Sequence, residues 1–150
     1  MFAALADAAP EHGPRRIDRI DLFPVLYPTV MRFKFFEGPV SGAGRAAVLI
    51  KFTADDGSVG WGESVPVPRW SYETLESAVS TIENYLKPVL VGLNPFDLKA
   101  VHDAMNHEIA PSFSTGAPIT KAGIDIALHD LMGRATGRNI ADLWGRKLPD

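Results

Sequence analysis

The sequence predicts an α+β fold, a three-stranded antiparallel meander followed by a helical bundle. Two observations carry this. Residues 17–27, 46–54 and 59–63 place alternate residues on opposite sides, the period of a strand. After Tyr72, three stretches repeat apolar residues every three or four positions, the period of a helix.

The first strand is "IDRIDLFPVLY", Ile17 to Tyr27. Ile20 and Leu22 fall on one side and Asp21 and Phe23 on the other, and Pro24 to Pro28 mark its end. In the second, "AAVLIKFTA", Val48, Ile50 and Phe52 share a face opposite Leu49, Lys51 and Thr53. "DDGS" is an Asp-Gly hairpin turn, and Val59 to Glu63 is the returning strand.

Leu75, Ala78, Val79, Ile82 and Leu86 give the first helix, which Pro88 is expected to stop. "NPFD" starts the second, with Asn94 as cap, Pro95 in the first turn and Asp97 at the positive end of the dipole. Its buried stripe is Leu98, Val101, Met105 and Ile109. The third runs from Pro118 to Ala135 with Gly137 as its stop, and Asn139 caps a short turn closed by Gly145. Its apolar residues spread around most of the helix, so burial on more than one side is expected.

The chain has 150 residues, enough for one domain with a sizeable core. A net charge of −3 gives no electrostatic footprint for nucleic acid or a membrane surface. With no cysteine, disulfides and thiolate chemistry are excluded, and a cytoplasmic location is expected. No apolar run approaches a transmembrane span. Residues 1–16 read as an Ala/Pro-rich flexible leader, and they lack the positive start of a secretory signal.

The stretch "DDGSVGWGESVPVPRW" raises the functional question. Gly57, Gly60 and Gly62 give G-x-x-G-x-G inside a hairpin, the wrong order and place for a dinucleotide loop. Gly60 and Gly62 leave one strand face without side chains, which marks close approach of another backbone or a ligand. Glu63 reads either as a carboxylate bonding loop amides or as a residue at the rim of a site. Asp125 and His129, four apart, read as a structural pair. His102 and His107 do not share a helix face well, and no spacing suggests a metal site. Trp61, Trp70 and Trp144 read as core or loop anchors. Residues 28–44 form a long connection rich in phenylalanine, either a packed Ω-loop or a functional one.

The order "VGWGES", "YETLE", "YLKPVLVG" and "KAGIDIALHDLMGRATGRNIADLWG" resembles the N-terminal capping domain of the enolase superfamily. Its muconate-cycloisomerase and mandelate-racemase-like branches are the nearest in pattern. The resemblance spans Ile17 to Gly145. It implies domain bounds of 17–145, with residues 146–150 starting a connection to a (β/α)7β barrel absent from this chain. It further implies that the barrel holds Mg²⁺ and every catalytic residue, stabilising an enediolate. No cofactor, metal ligand or catalytic residue is expected in these 150 residues.

What carries over by resemblance is a lid over a small carboxylate substrate. Its residues would be Met31, Phe33 and Phe36 in the first loop and Val65, Val67 and Trp70 in the second, with Glu63 holding the second loop. The parent reaction would be a racemisation, epimerisation, cycloisomerisation or dehydration, in a homo-oligomer. The alternative is a free-standing binding or oligomerisation module with no activity.

Overall fold

The computed structural model describes residues 15–28 and 44–146. Residues 1–14 of the expected leader, the loop candidates Met31, Phe33 and Phe36, and residues 147–150 lie outside the described residues.

Three strands, β1 (Ile17–Tyr27), β2 (Arg45–Ala54) and β3 (Val59–Ser64), make one antiparallel sheet in the order β1-β2-β3. Register pairs Ile20 with Phe52 and Phe52 with Gly60, then Leu22 with Ile50 and Ile50 with Gly62. These rows face the core, where Ile20, Ile50 and Phe52 are fully buried. The opposite face carries Asp21, Lys51 and Trp61 in one row and Phe23, Leu49 and Glu63 in the next. Pro24 is tolerated because β1 pairs on one side only, so its missing donor breaks no ladder.

Among the described residues, seven helical segments follow. The short α1 (Pro68–Ser71) leads to α2 (Leu75–Thr81), a π-helical turn (Ile82–Leu86) and α3 (Lys87–Leu90). Thr74 caps α2 by accepting from the Ser77 amide, and Ser77 returns the bond to the Thr74 amide. Pro88 does not stop this helix. The Lys87 amide reaches back to the Ile82 carbonyl, so the ladder widens by one residue just before the proline, which has no hydrogen to donate. The stop falls at Gly92, whose φ of 91° ends the helical path.

The next helix, α4 (Leu98–Glu108), starts later than expected. Its cap is Asp97, which accepts from the Ala100 amide. Asn94 accepts instead from the Phe96 amide and closes a turn in front of the helix. α5 (Pro118–Thr136) is the long element, ending at Gly137 in the left-handed region with Arg138 donating to the Gly133 carbonyl. A last turn, α6 (Ile140–Leu143), is capped by Asn139.

The core is one cluster between the sheet and α2 to α5, joining Ile20, Ile50 and Phe52 to Ile82, Leu86, Val101, Ile124, Leu128 and Leu131. One side of α5 fills that core. On the other, Ala122 and Ile126 remain exposed, so burial on a second side is not provided by the described residues. No helix is long and apolar enough to cross a membrane among the described residues.

Candidate lid segment

The site is built outward from β3. A β-carbon on Gly60 would stand 2.3 Å from the Ala127 carbonyl oxygen, and one on Gly62 would stand 2.1 Å from that of Gly123. Only glycine admits this contact, so α5 lies directly on the strand, and the expected close approach of a second backbone is observed. The outer edge of β3 is covered as well. Asp130 of α5 accepts from the Trp61 amide at 2.8 Å and from Arg134 at 2.8 Å, and Ser64 Oγ donates to the Ile119 carbonyl at 3.0 Å.

Glu63 points to the outer face. Its Oε1 accepts from the Tyr27 hydroxyl at 3.1 Å, tying the end of β3 across the sheet to the end of β1. Burial, then the hydrogen bond and charge of Glu63, hold the Tyr27 phenol above its ordinary pKa, with Arg45 working against them. The carboxylate that does bond backbone amides is a different one, and the amides belong to α5.

That carboxylate is Glu73, 3% exposed. It accepts from the Ile119 amide at 2.8 Å, the Thr120 amide at 2.9 Å and the Thr120 hydroxyl at 2.6 Å. These are free donors of the first turn of α5, where the helix dipole also favours an anion. Glu73 thus clamps the end of the Val65–Tyr72 segment onto the longest helix. The sequence motif containing it was visible, but nothing in a sequence shows which of two nearby carboxylates is buried.

Within the segment, Val65 and Val67 are half-buried, and Ser71 Oγ bonds both the amide and the carbonyl of Val67. Trp70 is 70% exposed on α1, not a core anchor. Trp61 and Trp144 are also exposed, Trp61 beside Phe23 with ring centroids 5.6 Å apart and Trp144 against His129 at 5.5 Å. Tyr72 takes a left-handed φ of 57°, and its hydroxyl bonds Thr115 Oγ1. Neither Tyr72 nor Thr115 had been assigned a role from the sequence.

Asp125 pairs with His129 as expected, 3.4 Å from Nδ1, but His102 of α4 is closer, 2.7 Å from Oδ1. The carboxylate pins α4 to α5. Among the described residues, no group of three or more His, Cys, Asp or Glu side chains could hold a metal ion.

Fold and site together define an α+β domain with the Val65–Tyr72 segment braced onto its longest helix at both ends. The comparisons with known proteins make the assignment specific. Residues 37–145 match the family of the mandelate racemase / muconate lactonizing enzyme N-terminal domain, and the chain belongs to that family, the capping domain of the enolase superfamily. It is 32% identical over 130 residues to the N-succinyl-L-Arg/Lys racemase of Bacillus cereus, covering 87% of this chain and 33% of the racemase. It is 42% identical over 103 residues to a chloromuconate cycloisomerase of Cupriavidus necator, covering 67% and 26%. The structure of a dipeptide epimerase from Enterococcus faecalis in complex with Mg and the dipeptide L-Leu-L-Tyr superposes with a TM-score of 0.68 at 29% identity, covering 80% of this chain and 32% of that one. The chain spans a quarter to a third of the length of these relatives.

Proposed function

We propose that this domain closes over the mouth of a C-terminal (β/α)7β barrel in a Mg²⁺-dependent racemase, epimerase, cycloisomerase or dehydratase acting on a small carboxylate. The family and the names of its relatives support isomerase-type chemistry. The barrel would hold Mg²⁺ and the acid and base groups. This chain's own residues would position, enclose and select. The loop candidates Met31, Phe33, Phe36, Val65, Val67 and Trp70 would face substrate, and Glu63, bonded to Tyr27, would hold the end of β3 from which the second loop departs.

The observation that carries this reading is the exposure of Trp70 at the end of a segment held at both ends. Ser64 bonds α5 at one end and Glu73 at the other. Trp70 and the neighbouring Tyr72 are both large and mostly exposed on this frame, and clustered exposed apolar surface supports an interaction role. Closure of such a segment would exclude water and commit substrate.

The test is replacement of Val65–Ser71 by a glycine-serine segment of equal length in the protein carrying its barrel. kcat/KM should fall while Mg²⁺ affinity stays. Unchanged kcat/KM would remove the lid role.

A further inference from the structure

We propose that residues 110–116 belong to the same substrate-facing surface as residues 66–72, and that Glu73 is the positioning residue for both. This rests on the lid reading above and adds a second segment to it, with Phe113 as a specificity-determining side chain.

Four observations converge. First, the Glu73 clamp grips Ile119 and Thr120, so it fixes the end of one segment to the end of the other. Second, residues 110–116 are pinned at their start as well. Lys121 Nζ donates to the Ile109 carbonyl and to Asn106 Oδ1, so both ends of the segment close on the first turn of α5. Third, the Tyr72 hydroxyl meets Thr115 Oγ1 and links the two segments directly. Fourth, Tyr72 and Ala117 are the two non-glycine residues with positive φ among the described residues, at 57° and 54°. Side-chain-bearing residues hold this conformation only where their surroundings impose it, and such strain concentrates at functional segments.

The joined segments present three rings within two residues of the Tyr72–Thr115 bond. Trp70 and Tyr72 are mostly exposed and Phe113 is fully exposed, so the domain's core uses none of them fully. An aromatic surface of this kind recognises the apolar side group of a carboxylate substrate, not the carboxylate itself.

Hydrogen exchange on this chain tests the coupling. Glu73→Gln keeps the size but sets an amide NH₂ against backbone donors. Exchange at 66–72 and at 110–120 should rise together, about tenfold or more, while β2 amides stay protected. A rise confined to 66–72, or an equal rise in β2, would overturn the positioning role. Should Glu73→Gln fail to fold, Tyr72→Phe decides: faster exchange at 110–117 supports the link, and unchanged exchange there overturns it. Kinetics in the barrel-bearing protein then test the surface. Phe113→Ala should raise KM for substrates with a large apolar side group about fivefold more than for the smallest substrate, at unchanged melting temperature. A silent Phe113→Ala beside an impaired Trp70→Ala would overturn this proposal alone. If both are silent, the lid reading falls with it.

Discussion

Gly62 of β3 and Gly123 of α5 meet backbone against backbone. A β-carbon on Gly62 would stand 2.1 Å from the Gly123 carbonyl oxygen, and one on Gly123 would stand 2.9 Å from the Ser64 nitrogen. Neither obstacle is the end of a flexible side chain, so neither can swing aside. This contact sets the height of α5 above the sheet, and with it the position of Ile119, Thr120 and Lys121, the α5 residues that brace the two segments.

Gly62→Ala should therefore be costly. Overpacking against backbone is expected to destabilise by about 3 kcal/mol or more, the upper end for added core atoms. Gly57→Ala is the control. It meets nothing within 4 Å but has a φ of +83°, so strain alone should cost about 1–2 kcal/mol. Urea unfolding of both variants checks the order. Equal losses would mean that helix and strand separate more easily than their geometry implies.

Tyr27 offers a pH signature. Its folded pKa is raised above 10.0, so the folded state retains the phenolic proton longer than the unfolded chain. The stability it contributes is present below pH 10 and lost as pH rises through the folded value. Ultraviolet titration should show one phenol ionising late, and Tyr27→Phe should remove it. Glu63→Gln should bring that ionisation to lower pH, since it deletes the neighbouring charge. A titration unmoved by Glu63→Gln would leave burial as the whole cause and weaken the cross-sheet tie.

Ala122 and Ile126 are exposed apolar residues on the outer side of α5, and Trp144, just after α6, is exposed beside His129. Exposed apolar side chains that a partner could cover favour association. The 150-residue chain should self-associate with rising concentration in sedimentation velocity runs. Ile126→Lys should return it to a monomer with little effect on melting, because a half-exposed side chain contributes little to the core. A wild-type chain that is monomeric at high concentration would contradict the uncovered-interface account.

Much of this fold is legible in the sequence because its signals are local. The alternation of Val48, Ile50 and Phe52 and the Asp-Gly turn place the meander, and Gly60 and Gly62 announce that something packs on them. Pro88 misleads because a π-turn absorbs it, and such a turn depends on neighbouring packing. Asn94 and Asp97 are both good caps, and only the tertiary position of Leu98 and Val101 in the core decides for Asp97. At the site, Trp70 and Glu63 stand out as residue types, but the buried carboxylate is Glu73. Its partners Ile119 and Thr120 are 46 and 47 residues away. A contact of that range leaves no mark on spacing or periodicity.

The most direct test of the lid account is Trp70→Ala in the protein that carries this domain together with its barrel, with melting temperature and kcat/KM read on the same samples. Trp70 is 70% exposed, so its truncation should leave the melting temperature nearly unchanged. If the ring packs on substrate or on the closed barrel mouth, about 1.5–3 kcal/mol of apolar burial is lost. kcat/KM should then fall about 10- to 150-fold, with Mg²⁺ affinity intact. A variant that keeps wild-type kcat/KM at an unchanged melting temperature would contradict the account.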